Sequence, residues 1–391
     1  MLRSLFSGIS GLRAHQTMLD VTGNNIANVN TTGFKASQTQ FQDTLSQVLT
    51  NAGAAQNGVG GTNPAQVGLG VRVAGITTNF QQGAAQLTNR STDMMISGDG
   101  FFVVRKGAEQ MYTRAGAFDF DATGQLVTPD GGLVQGWAAG GDGSIDVNGP
   151  LVDLRLPIAT LMGAAPTTNA TFEGNLPADA TAGTTLNRDV DVYSADGTVS
   201  TLALAFTRTA AGWDVSATLD GTTVTGAMTF DVDGTQLTGG TVAVGGLTVD
   251  LSSVTGYAGL DTIEASGQDG RAAGTLQSFT INADGTLLGS FSNGLKQALG
   301  RVALSTFTNP AGLEKAGGSL YRTTVNSGDA QVGAAGTGGR GELTGGALEM
   351  SNVDLSAEFT NLIIAQRGFQ ANSRVITTSD ELLQELVNLK R

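Results

Sequence analysis

The sequence predicts a mainly β protein with long α-helical termini. It reads as a nested, multidomain chain whose ends pair as a coiled coil around two antiparallel β domains. Three observations carry this. Apolar residues recur at helical 3-4 spacing at both ends. Between the ends the period falls to two, with glycine turns at short intervals. A central stretch, 150–257, then departs from its flanks in composition and charge.

At the N-terminal end Leu2, Leu5, Ile9, Leu12, Leu19 and Ile26 place one narrow apolar seam on a helix, with Gln16 and Gly23 as its weak points. A helix of about 26 residues is roughly 39 Å long. Residues 31–70 read as a connecting segment, and the Asn-, Gly- and Gln-rich run from Thr50 to Gly70 as an extended or loosely ordered linker. Residues 71–149 and 258–332 are expected to form the first β domain. Its strands include Phe101 to Val104, Met111 to Phe120, Gln125 to Val134 and Arg301 to Phe307, broken by turns such as Ser97 to Gly100 and Asp130 to Gly132. Residues 150–257, rich in Thr, Ala, Asp and Gly, read as a second β domain inserted into the first. A glycine-rich connecting segment, 333–351, leads into the C-terminal helix.

That helix carries Leu355, Phe359, Leu362, Ile363, Phe369, Ile376, Leu383 and Leu386, with Leu389 beyond them. Ser351 to Asp354 fits a capping box at its start. Gly368 costs the helix about 1 kcal/mol relative to Ala. An exposed apolar stripe this long needs a partner. Either the two terminal helices pack only on each other, or the seams also join copies of the chain in a polymer.

Composition excludes much chemistry. With no cysteine there is no disulfide, thiolate metal site or thiol nucleophile, and a single histidine, His15, leaves almost nothing for a metal cage or a Ser/His/Asp triad. His15 is expected on the polar flank of the seam, as a solvated or interface imidazole. The net charge of −13 is uneven: residues 150–257 hold 11 acidic and 3 basic residues, whereas 1–49 hold 3 basic and 2 acidic. No basic patch is available for nucleic acid, no stretch is long and apolar enough for membrane insertion, and no cleavable signal is recognisable at the N-terminus. Asp119 to Asp130 superficially resembles a calcium loop, but its flanks alternate like strands, so it reads as a hairpin turn, as does Gly140 to Gly143. Asp189 with Asp191 and Asp231 with Asp233 occupy alternating positions that suit a solvated face. No cofactor and no catalytic residue is expected, and the chain reads as a non-enzyme. A secreted polysaccharide-acting enzyme using Asp231 and Asp233 stands as a remote alternative.

Ser4 to Leu12, Leu19 to Asn30 and Thr32-Gly-Phe-Lys35 resemble the start of bacterial flagellar rod and hook proteins. Ser351 to Leu355, Ala365 to Arg367, Phe369 to Arg374 and Leu382 to Leu386 resemble the other end of that family, and Ile96 to Val103 its shared β segment. The resemblance implies a motif loop at Asn24, Asn25, Asn28, Gly33, Phe34 and Lys35. It also implies an extracellular, self-assembling structural subunit, exported through the flagellar type III apparatus without a cleaved signal. Helices 1–30 and 352–391 would line an inner tube, with the insert outermost. The large insert favours the hook role, a curved flexible joint passing torque, over the rigid distal-rod role kept as its alternative. Implied partners are further copies of the chain, the distal rod protein, the hook cap, the hook–filament junction protein and the export apparatus.

Overall fold

A computed structural model describes residues 2–54, 60–156 and 161–388. The chain divides into two compact units. One comprises Met1–Pro157, Thr280–Leu288 and Ala298–Arg391, the other Ile158–Phe279 and Gly289–Gln297. Leu389 lies outside the described residues.

In the first unit the chain opens with α1 (Leu2–Ala27) and ends with α2 (Leu355–Asn388). The cap of α2 sits three residues later than expected. The Asp354 carboxylate accepts from the Ser356 and Ala357 N–H groups at 2.9 and 3.3 Å, while the Ser351 hydroxyl accepts from Val353 N–H before the helix begins. A carboxylate at a helix N-terminus also meets the positive end of the dipole, which favours it over a hydroxyl.

The expected loose linker is ordered where it is described. Ser37–Asp43 pairs antiparallel with Val71–Thr78, and Ser46–Thr50 with Ala65–Gly68, making one long two-stranded ribbon. Strand-forming Val48, Val67, Val71 and Val73 lie among the polar residues and favour pairing over coil.

The β layer of this unit runs Leu133–Ala138, Phe101–Lys106, Glu109–Thr113, Leu320–Arg322, Glu314–Gly317, each strand bonded to the next. Gln331–Ala334 joins it through the strand at 296–306. Inward-facing aromatics alternate along these strands into one core of Phe101, Tyr112, Trp137, Phe307 and Tyr321. Their rings meet edge to face, with Tyr112 and Phe307 at 4.8 Å and Phe101 and Phe307 at 5.5 Å. The expected strand from Met111 to Phe120 breaks after Thr113. There Gly116 passes directly beneath the Met94 carbonyl, an approach no side chain could make, and the chain turns.

The second unit is a sandwich. One sheet runs Thr185–Tyr193, Val199–Arg208, Trp213–Leu219, Thr222–Phe230, Gln236–Thr238; the other runs Thr241–Val244, Leu247–Thr255, Asn169–Asn175, Glu264–Gln268. Phe172, Leu204, Phe206, Trp213, Val249 and Leu251 share its core. One pairing departs from the antiparallel pattern: Asn169–Asn175 runs parallel to Leu247–Thr255. Parallel neighbours need a long crossover, which the whole five-stranded sheet supplies.

Candidate functional site

The terminal helices pack antiparallel, as their contacts show. Gly8 lies against Ile376, Gly11 against Asn372, His15 against Gly368, and Asn25 donates to Glu358 at 2.9 Å. The stripe of α1 that faces α2 is one residue out of register with the expected seam. Gly8, Gly11, Ala14, Thr22 and Asn25 are buried, whereas Leu5, Ile9, Leu12, Leu19 and Ile26 ride half-buried on the shoulder. Small residues win the contact because they let the two backbones approach. A Cβ on Gly8 would stand 3.3 Å from the Ile376 side chain, and one on Gly11 2.6 Å from the Asn372 amide.

On α2, Leu362, Ile376 and Leu383 are half-buried, while Leu355, Phe359, Ile363, Phe369 and Leu386 face outward. Phe359, Ile363 and Leu386 are each more than half exposed, at 52%, 56% and 55%. Leu2 opens α1. The pair therefore covers a glycine-rich stripe and leaves a leucine- and phenylalanine-rich one open.

Of its two expected settings, His15 takes the interface one, at the helix contact. Its ring lies directly on Gly368 and 5.8 Å from the Phe41 ring of the ribbon. Gly368 is thus a seat: a side chain there would occupy the space of the imidazole.

Where the helices meet the β layer, the motif loop is built into a buried junction. Asn28 donates to Asn24 Oδ1 at 2.9 Å at the end of α1, and Asn25 exchanges hydrogen bonds with the Ser37 backbone at 2.7 and 3.0 Å. Gly33 holds φ +66°, donates to the Glu349 carbonyl at 2.8 Å and presses on the backbone of Arg114 and Ala115. Positive φ and close approach together require glycine. The Phe34 ring carries the Lys315 ammonium at 5.0 Å.

Lys35 is fully buried. Its ammonium donates at 2.6 Å to both Glu349 and the Gln81 carbonyl. Glu349, also fully buried, accepts from Gly83 N–H at 2.9 Å and lies 3.5 Å from the Arg114 guanidinium. Burial pushes the Lys35 ammonium below its ordinary range, against the pull of Glu349, and burial does the same to Arg114. Asn352 closes the junction by accepting from Ala36 N–H at 2.8 Å and donating to the Asn79 and Gln81 carbonyls.

Sequence reasoning missed Glu349 and Arg114. Neither lies at a patterned position, and their pairing with Lys35 joins segments far apart in the chain. The glycine-rich connecting segment before α2 is likewise tied down: Glu342–Gly345 pairs with Met94–Ser97 and Ala347–Glu349 with Ala85–Leu87.

The carboxylates weighed for chemistry sit elsewhere. Asp189, Asp191, Asp231 and Asp233 are all exposed on strands and turns. Asp121 accepts from Thr123 and Gln125 N–H at 2.8 Å, and Asp142 from Ser144 N–H, both as turn clips. Among the described residues no cluster of three or more His, Asp or Glu is placed to hold a metal ion, and no helix is long and apolar enough to cross a membrane. What the arrangement offers is surface: a rigid helix pair, anchored by a buried ionic junction, with one apolar stripe uncovered.

Three family descriptions match along the chain. They are Flagella basal body rod protein at residues 5–35, Flagellar hook protein FlgE/F/G D1 domain at 95–201, and Flagellar basal body rod FlgEFG protein C-terminal at 344–389. The flagellar hook protein FlgE of Borreliella burgdorferi is 40% identical, with both chains covered in full. The flagellar basal-body rod protein FlgG of Bacillus subtilis is 36% identical over the same full coverage. The crystal structure of Helicobacter pylori flagellar hook protein FlgE2 is similar in fold, with a TM-score of 0.54 at 15% identity over 68% of this chain and 100% of that one.

Proposed function

Because the chain belongs to the FlgE/F/G family of flagellar hook and rod proteins, we propose that it is the structural subunit of the bacterial flagellar hook, polymerising into a curved, flexible tube. The observation that carries this is the uncovered stripe Leu355, Phe359, Ile363, Phe369 and Leu386 on α2. Burying a side chain of that size is worth about 1.5–3 kcal/mol each, so the stripe is a strong drive for lateral association of copies. The half-buried seam of α1 supplies the facing surface. Phe34 and Lys35 with the rest of the motif loop hold the helix pair at a fixed angle to the β layer.

This refines the picture of bending. With both connecting segments paired into strands and pinned by Lys35 and Glu349, the subunit's helix-to-β junction is stiff. Curvature then comes from sliding between neighbouring copies. The second unit is a sandwich with its own core and holds the larger share of the net negative charge, with 13 acidic against 4 basic residues, and such an added unit supports the hook over the rigid distal-rod role. We further assign the distal rod protein, hook cap and hook–filament junction protein as end partners. Flagellar type III export is assigned as the route out of the cell.

The test is a Phe359→Ser/Ile363→Ser chain, which is expected to fold as a monomer and fail to extend hooks. Normal hooks from this variant refute the seam. Antibody labelling of isolated hook–basal bodies separates the two family roles: label confined to the rod sinks the hook reading.

A further inference from the structure

The charged residues of the helix pair are banded. Using the antiparallel register, Asp20 of α1 lies level with Ile363, between one and three turns beyond the Glu358 and Asp354 carboxylates at the start of α2. Arg13 lies level with Arg367 and Arg374 in the middle. Arg3 lies beside Asp380, Glu381 and Glu385 at the far end. The pair is therefore acidic near the β layer, basic in the middle and predominantly acidic again beyond. Band centres are about 12–15 residues apart, or roughly 20 Å at 1.5 Å per residue.

All of these side chains are exposed except Glu358, which is half-buried, and among the described residues none is in an ion pair. The pattern is thus unspent within one subunit. The bands flank the open apolar stripe, so whatever covers that stripe must meet them.

We propose that the occupant is a second copy of this chain, docked along the helix pair with an axial offset of one band, about 20 Å. Two helix pairs laid side by side without offset put acid on acid and base on base, whether they run parallel or antiparallel. Shifting one parallel copy by a band sets its basic middle against an acidic end of its neighbour, while the apolar stripes stay in contact. The stripe supplies affinity and tolerates sliding; the bands fix where along the stripe the copies stop. The inference rests on the hook reading and adds to it the stagger of neighbouring subunits.

The experiment measures elongation of purified subunits on hook seeds at low ionic strength. Arg367→Glu/Arg374→Glu places acid in all but one position of the middle band without touching a described hydrogen bond of those side chains. We expect elongation at least about tenfold slower than the unmodified chain, given the size of steering effects. Adding Asp380→Lys/Glu385→Lys is expected to recover most of the loss, because middle and far bands are again opposite. For the unmodified chain, elongation should slow as sodium chloride rises from about 0.05 to 0.5 M, where the screening length drops well below 10 Å. The stagger is overturned if the double variant elongates like its parent, if the quadruple variant does no better than the double, or if salt has no effect. A parent that does not extend the seeds at all overturns the hook reading, and the stagger with it.

Discussion

Replacing Glu349 with Gln removes one negative charge from a site where two buried cations share it. Lys35 and Glu349 are wholly inaccessible and Arg114 is 2% exposed. The amide can still accept from Lys35, so the loss is not of shape or of a hydrogen bond but of the countercharge. Breaking a buried pair in this way costs about 3–5 kcal/mol. Lys35→Met is the instructive contrast. It leaves Glu349 with the Gly83 N–H at 2.9 Å and Arg114 at 3.5 Å, and it removes an ammonium that burial already disfavours. It removes two ammonium hydrogen bonds, to Glu349 and to the Gln81 carbonyl, but each acceptor keeps another donor, so its cost should be about 1–2 kcal/mol. Combining the two changes should be less damaging than their sum, because the orphaned ammonium is then gone.

The assay is urea unfolding followed by tryptophan fluorescence in a Trp213→Phe background, so that buried Trp137 reports the first unit alone. With a slope of about 2 kcal/mol per molar, Glu349→Gln moves the midpoint down by roughly 2 M and Lys35→Met by less than 1 M. Equal shifts for the two variants, or a Glu349→Gln shift no larger than that of Lys35→Met, would refute the view that the carboxylate neutralises both cations.

Two further outcomes follow from named contacts. Gly368→Ala should lower thermal stability of the helix pair in the parent by about 1 kcal/mol, since crowding of the His15 ring outweighs the helix-propensity gain. In a His15→Ala background the same change should instead raise it by about 1 kcal/mol, and the same sign in both backgrounds would remove His15 from the explanation. In the second unit, burial alone would raise the Asp269 carboxyl, but N–H groups of Asn169 and Thr168 and the Thr168 hydroxyl outweigh it and bring it down to about 2. A depressed carboxyl stabilises above its ordinary range near 3.8 and loses that contribution as pH falls through about 2. Asp269→Asn should flatten the stability profile of this unit between pH 4 and 2; an unchanged profile contradicts the clip.

Periodicity made the terminal helices legible, including the extent of α1, and glycine turns marked the hairpins of the body. The helix contact itself was misplaced by one residue, because apolar patterning highlights leucines while close packing selects Gly8, Gly11 and Ala14. The same bias treated Gly368 as a weakness. The ionic junction was illegible for a different reason: nothing local about Glu349 or Arg114 distinguishes a buried countercharge from a solvated one. The parallel pair in the second unit also needed the fold, since a strand does not record its neighbour's direction.

The Lys35–Glu349 bond spans 314 residues. It imposes an order of events. A chain still emerging has Lys35 long before it has Glu349, and during that interval the pocket beside Arg114 can only be assembled around two uncompensated cations. Closing so long a loop in a free chain costs about 5 kcal/mol in entropy, so the rest of the β layer must bring the ends together first. Early residues are thereby kept from settling, and the helix-bearing arms are fixed in place only when the last tenth or so of the polypeptide arrives.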